Sequence, residues 1–461
     1  MSSEINAKAQ ENKMGVMPVN KLLLNMSLPM MVSMLVQAFY NIVDSIFVAK
    51  LNENALTAVS LAFPVQTLLV AVGAGTGVGV NALLSKSLGE KNQENANKTA
   101  MNGIFLAVLS FLLFVIIGLV AVKPFYLSQV KDANSEIYSM GVSYLSIVCI
   151  CSFGIYAQFI FEKLLQSTGM TVYSMLSQMA GAITNIILDP ILIFGMFGLP
   201  KMGVAGAAIA TVVGQCVGAA LAIIFNIKKN HEIQLSLKGF KPDMQIIGKI
   251  YKVGVPSIIM QSIGSIMTYG MNLILIQFTA TATTVFGVYF KLQSFFFMPV
   301  IGLNNGMVPI IAYNFGAGKR TRMVKTIKYA MCYAFVLMFL GFVAFMLIPG
   351  QLLGLFEASE QMLAIGIPAL RIIGIHFLVA WFCIIAGSVF QAVGNGIYSL
   401  IVSVARQLVI LLPAAYIFSK IGGLDLVWWS FPVAELMSLA VSSIFLVLTW
   451  KNLISKVPDN K

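Results

Sequence analysis

Charge is what this chain lacks. Asp, Glu, Lys and Arg make up 10% of its 461 residues, against roughly a quarter in soluble proteins. That scarcity excludes a soluble globular protein, a disordered chain and a charge-laced coiled coil. Histidine falls to 2 residues and cysteine to 5. Cys149, Cys151, Cys216, Cys332 and Cys383 all lie in apolar runs without metal-ligand spacing. They read as small buried hydrophobes, with no disulfide framework implied. The leading segment 1–20 lacks the short apolar core and cleavage site of a signal peptide, so the first apolar run is expected to stay in the mature protein. What is abundant is apolar surface, at 59% of residues.

A helix needs about 20 apolar residues to cross roughly 30 Å of hydrocarbon. Twelve such runs are present: 22–49, 56–85, 99–123, 138–165, 170–195, 204–227, 249–278, 285–313, 326–349, 362–391, 397–420 and 427–450. The ten-residue alternation of a membrane barrel is absent, so the expected class is an all-α polytopic membrane protein. An even number of spans puts both termini on one side. Of 29 Lys and Arg residues, 21 fall on that side, 5 on the other and three (Lys291, Arg371 and Arg406) within spans. The positive-inside bias then predicts cytoplasmic termini, and the net charge of +12 becomes an orientation signal instead of a nucleic-acid footprint.

The two halves repeat. Pro29 and Pro256, Phe63 and Phe290, Gln66 and Gln293, Gly79 and Gly306, Gly89 and Gly316, and Thr99 and Thr326 are all separated by one constant offset. QSTGMTVYS at Gln166 returns as QAVGNGIYS at Gln391, at very nearly the same offset. Six spans lie within that offset, and six is even. Both copies therefore enter the membrane in the same direction, related by a pseudo-two-fold axis along its normal. The expected division is a tail at 1–20, an N-lobe at 21–227, a polar linker at 228–248, a C-lobe at 249–450 and a tail at 451–461. Two bundles on one linker suit alternating access, in which the halves rock about a central site.

Four acids lie within spans: Asp44, Glu162, Asp189 and Glu435. An ionisable group at membrane depth is costly, so each needs a partner or a function. At ~1.5 Å per residue, Asp44 sits ~8 Å, Asp189 ~9 Å and Thr211 ~10 Å from the outer ends of their spans. Asn185 is one turn from Asp189 on the same helix face, and Pro190 deprives the Ile186 carbonyl of its helical donor. Two carboxylates, an amide, a hydroxyl and a free carbonyl at one depth suit a small cation or a proton, with separate helix-packing roles as the alternative. Arg406 and Glu435 fall near the midplane; they read as a structural ion pair, with cargo contact as the alternative. Glu162, beside Lys163 at an inner span end, is expected to snorkel to the interface. Lys291 and Arg371 suit an outer vestibule or the headgroups equally, and His376 reads as a helix-packing residue.

Two motifs mislead. GAGTGVGV at Gly73–Val80 lies inside a span and reads as close helix packing, without the strand and ribose-binding acid of a dinucleotide site. GAGKRT at Gly316–Thr321 is not a P-loop, since Tyr313 and Arg320 occupy positions where Gly and Ser/Thr are required; no ATP-hydrolysing element is expected. Met260, Met267 and Met271, and Phe295 to Met298, read as packing or lipid-facing residues, with an adaptable cargo cavity as the alternative.

YNIVDSIFVAKL around Asp44, NIILDPILIFG around Asp189, GVAGAAIAT ending at Thr211, and the loops SLGEKN and NFGAGKR resemble the multidrug and toxic compound extrusion (MATE) family, in its bacterial branch. The likeness covers essentially the whole chain. It implies a V-shaped pair of six-helix lobes that exports amphipathic, often cationic drugs in exchange for Na+ or H+ across the bacterial plasma membrane. No enzymatic activity, ATP or nucleic-acid partner is implied, and the expected unit is a monomer in lipid. It carries a coupling-ion site onto Asp44, Asn185, Asp189 and Thr211, and a bending role onto Pro29. Where some relatives bear a span-seven acid, this chain has Gln261, which concentrates coupling in the N-lobe. Two alternatives stand beside this reading. A lipid-linked oligosaccharide flippase would want a large cationic cavity, and a non-transporting membrane sensor would want a soluble or catalytic element.

Overall fold

The computed structural model describes residues 12–130, 135–236, 238–356 and 358–459; the start of the expected N-terminal tail, 1–11, lies outside these. Among the described residues there are helices and no strands. Ten helices are long and apolar enough to cross a membrane unbroken: Val19–Ala49, Glu53–Gly89, Gln93–Val120, Thr171–Phe194, Val204–Lys229, Met244–Leu275, Ala280–Gly316, Arg320–Leu347, a composite from Gly396 to Ile421, and Ser430–Asn452. The fourth and tenth spans expected from sequence are bent pairs. Glu136–Ile150 and Phe153–Ser167 meet at 43°, and Glu360–Gly374 and Phe377–Ala392 at 51°. Below, spans 1 to 12 denote these elements in chain order. The segment joining spans 6 and 7 is shorter than expected, because helix continues to Lys229 and resumes at Met244.

Local chemistry sets the boundaries. Asn52 caps span 2 by accepting from the Ala55 amide at 2.7 Å, and Thr279 caps span 8 by accepting from Ala282 at 3.0 Å. These two caps stand at the offset that relates the halves, as the repeat requires. Asn92, Ser135, Asp243 and Ser359 cap four other helices in the same way.

Spans 1–6 and 7–12 form two bundles that meet chiefly through spans 1, 2, 7 and 8. Glycine makes the meeting close. A Cβ on Gly75 or Gly79 would collide with span 7 at Ile258 or Ile250, and one on Gly302 or Gly306 with span 1 at Met31 or Ser27. Nearer the ends, Gly89 lies against the Tyr313 carbonyl and Gly316 against the Lys86 carbonyl. All three glycine pairs obey the repeat offset, so the lobe interface is itself pseudo-two-fold. Pro29 and Pro256 lie within these contact stretches, on spans 1 and 7. The contacts occupy the half of the molecule that carries both termini, here called the terminal face. On the opposite half, Phe63 of span 2 is 61% exposed.

The segment Asn12–Met17 straps both lobes at the terminal face. Asn12 donates to the Thr168 carbonyl of the N-lobe at 3.1 Å and to Glu232, in the segment joining spans 6 and 7, at 2.9 Å. From the C-lobe, Asn314 and Arg322 donate to the Met14 carbonyl at 3.0 and 3.1 Å. Arg322 also reaches the Met17 carbonyl at 2.7 Å, and Met14 is fully buried beneath.

Candidate functional site

Span 1 presents Tyr40 and Asp44 one turn apart, and span 5 presents Asn185 and Asp189 with the same spacing. Spans 5 and 6 approach at backbone distance: a Cβ on Gly181 would sit 2.8 Å from the Gly214 carbonyl oxygen, and one on Gly214 2.7 Å from that of Gly181. That contact brings Thr211 of span 6 beside Asn185. With its amide turned to satisfy both neighbours, Asn185 donates to Asp189 Oδ2 at 3.1 Å and accepts from Thr211 Oγ1 at 3.3 Å. The Asp44 and Asp189 carboxyl groups come within hydrogen-bonding reach of each other. Asp189, Asn185 and Thr211 are buried.

The structure thus brings Asp44, Asn185, Asp189 and Thr211 together inside the N-lobe. One oxygen of each carboxylate, Asp44 Oδ1 and Asp189 Oδ1, is buried without a protein partner. Two carboxylates this close repel unless a proton or a cation lies between them. The two unpartnered oxygens, with the amide and hydroxyl oxygens alongside, form the hard-donor set that such a charge requires. Sequence reasoning missed Tyr40 and Tyr144, which both face Asp44, and Gln66, which donates to the Tyr144 hydroxyl at 2.8 Å. Tyr40 was detectable as the neighbour one turn from Asp44. Tyr144 belongs to the bent fourth span, and no local pattern points it there.

Arg406 and Glu435 pair at 3.2 Å in the C-lobe. Arg406 lies on a π-helical stretch, Ala405–Leu411, that interrupts span 11. Glu162 does not snorkel. It is buried, accepting from Gln158 at 2.9 Å and from Ser177 and Gln178. Lys163 is buried as well and turns the other way, donating to Gln166 at 2.8 Å and across the lobe interface to Asn305 at 3.0 Å. Amide and hydroxyl partners, some one turn away on the same helix and others from spans 5 and 8, replace the headgroup solvation that the sequence suggested. His376 starts the second half of span 10, its Nδ1 on the Ile373 carbonyl among Phe297, Phe377 and Phe431. Met267 and Met271 pack in the core, and Phe295 meets Phe39 of the opposite lobe at 5.5 Å. Cys332 is exposed on its helix and Cys151 at the bend of span 4, contrary to the expectation that every cysteine is buried; an apolar run has a lipid-facing side too.

Two membrane bundles related by a repeat, with a buried carboxylate pair in one of them, define a transporter architecture. The MatE family model matches residues 29–191 and 256–417, one copy in each lobe. The chain belongs to the MatE family. It is 28% identical to the multidrug export protein MepA of Staphylococcus aureus (strain MRSA252), covering 91% of each chain. It is also 28% identical to MepA of Staphylococcus haemolyticus, covering 94% of each. Among solved structures, an outward-facing multidrug resistance MATE family transporter superposes with a TM-score of 0.91 at 26% identity, covering 97% of this chain and 99% of that one. A MOP superfamily transporter from Pyrococcus furiosus gives 0.88 at 26% identity, covering 96% and 98%.

Proposed function

We propose that this protein is a cation-coupled antiporter that exports amphipathic, often cationic small molecules by alternating access. In this reading Na+ or H+ occupies the site of Asp44, Asn185, Asp189 and Thr211, and the terminal face is cytoplasmic in a bacterial plasma membrane. The observation that carries it is the N-lobe carboxylate pair, with one unpartnered buried oxygen on each member. The multidrug exporters of similar sequence support the cargo class.

Coupling requires that the ion bind one conformation more tightly than the other. The shared site supplies such a difference, because the carboxylates come from different helices. Any rotation of span 1 against span 5 separates Asp44 from Asp189 and weakens their joint hold on the ion. Pro29, where span 1 touches span 8, leaves that helix one backbone hydrogen bond short and so easier to bend. The test is efflux of a fluorescent cationic dye from proteoliposomes, with a sodium gradient and a pH gradient imposed separately. One of the two should drive efflux in the wild type and neither in Asp189→Asn. Full gradient-driven efflux by the variant would reject the reading.

A further inference from the structure

Each lobe carries a cavity at the terminal face, and the two are mates in the repeat. The N-lobe cavity, of about 450 Å³, is lined by Asn25, Gly169 and Tyr173 together with Lys13 and Glu232. The C-lobe cavity, of about 260 Å³, is lined by Lys252, Gly394, Asn395, Tyr398, Thr449 and Asn452. Lys252, Gly394 and Tyr398 are the repeat counterparts of Asn25, Gly169 and Tyr173. We propose that the C-lobe cavity binds the phosphate group of an anionic phospholipid from the leaflet at the terminal face.

The two cavities differ in what covers them. In the N-lobe the strap closes the mouth: Lys13 Cε lies 3.0 Å from where a Cβ on Gly169 would sit, and Lys13 Nζ donates to Asn25 at 2.8 Å. Gly394 holds the same left-handed turn as Gly169, at φ +81° against +87°, yet among the described residues a Cβ there would meet nothing within 4 Å. The repeat counterparts of Asn12 and Lys13 are Gly239 and Phe240. Phe240 packs on Phe105 of span 3 instead, with ring centroids 6.0 Å apart.

The polarity is reversed as well. Asn25 accepts from an ammonium group, whereas Lys252 in the matching place can only donate. The partner of the C-lobe cavity must therefore be an acceptor. Thr449 lines the same cavity at 1% exposure, and its Oγ1 has no protein partner, although buried hydroxyls normally find one. Span 11 begins here, with Gly396 against the backbone of Lys252 and Val253 and no side-chain cap from Asn395. The amides of that first turn and the positive end of the helix dipole favour a phosphate. No carboxylate lines the C-lobe cavity, while Glu232 lines its mate. Leu448 and Leu453 complete the wall; such apolar surface suits the glycerol and upper acyl chain of a lipid and offers a free phosphate ion nothing. Trp450, 43% exposed, and Lys451 flank the cavity on span 12, a pairing suited to headgroup level, where basic pockets between helix ends hold anionic headgroups.

Native mass spectrometry of the full-length protein in detergent, titrated with palmitoyl-oleoyl phosphatidylglycerol, tests this. Lys252→Asn installs the N-lobe residue, and Thr449→Val keeps the shape but removes the hydroxyl. Each should weaken the tightest-bound lipid by about tenfold or more, the scale of one hydrogen bond to a charged group. Lys451→Asn removes the same charge outside the cavity and should leave that affinity unchanged. Inorganic phosphate should displace the lipid no better than chloride at equal ionic strength. Wild-type affinity in either Lys252→Asn or Thr449→Val, or an equal loss in Lys451→Asn, would overturn the site. Displacement by inorganic phosphate beyond that by chloride would give the cavity to a soluble anion and overturn the lipid as its occupant.

Discussion

Substituting alanine for Gly306 should unseat the seal at the terminal face. The added Cβ would lie 2.7 Å from Ser27 Cα and 2.8 Å from Ser27 N, where contact normally settles at ~3.5–4.0 Å. Span 1 must therefore retreat by about 1 Å along a stretch it shares with Gly302. Overpacking of this kind costs about 1–3 kcal/mol, and each ~1.4 kcal/mol is a tenfold change in an equilibrium. The ratio of sealed to unsealed molecules should fall by roughly 5- to 150-fold. Gly287, in the same helix, has nothing within 4 Å of its would-be Cβ, so Gly287→Ala is the matched control. Distances between spin labels on the terminal ends of spans 2 and 8 report the seal. Gly306→Ala should broaden them toward longer separations, while Gly287→Ala keeps the wild-type distribution. Identical distributions in the two variants would refute the argument that backbone contact at Gly306 holds the lobes together.

Further expectations follow from the same geometry. Arg322→Ala removes donors to the Met14 and Met17 carbonyls, and should raise amide exchange across residues 14–17 at least tenfold while leaving exchange in span 12 unchanged. Asn305→Leu takes one acceptor from buried Lys163. Lys163 keeps Gln166 as its remaining acceptor, and the loss of one hydrogen bond to a charged group costs about 1.5–3 kcal/mol, so the unfolding midpoint should drop, more than for Asn305→Gln. At the C-terminal tail, hydrogen bonds from Thr321 hold the Asp459 carboxyl below the usual carboxylate range. A depressed carboxylate stabilises docking at neutral pH and loses that contribution as pH falls through its folded value. Exchange at the Thr321 amide should accelerate only in strong acid, and Asp459→Asn should make it fast at neutral pH.

Much of this arrangement is legible in the sequence, for reasons particular to each part. Twelve crossings followed from run length, and the offset between the halves carried over to the glycine contacts because both copies pack by the same close approach. The depths of Asp44 and Asp189 followed from the fixed rise of a helix. Their convergence did not, since it depends on how spans 1 and 5 are rotated and on the Gly181–Gly214 contact. The bends at Cys151–Ser152 and Ile375–His376 carry no proline, so nothing local announced them. Glu162 read as interfacial because Gln178 and Ser177, on span 5, reach it only through tertiary packing, whereas Gln158 lies one turn away on its own helix. The π-helical stretch under Arg406 was equally hidden, being a change in hydrogen-bond register instead of composition.

In the coupling mechanism proposed above, Asp44 and Asp189 hold one exchangeable charge between them. Two unit charges about 4 Å apart interact by about 4 kcal/mol at an effective dielectric near 20, so losing either carboxylate should weaken ion binding by roughly 10³-fold. Binding isotherms for Na+, with parallel proton titrations, on the wild type, Asp44→Asn, Asp189→Asn and the double variant measure this directly. A shared charge predicts one ion per protein and a large loss in each single variant, with the double variant weaker than either. Two ions bound by the wild type, or wild-type affinity in either single variant, would contradict it.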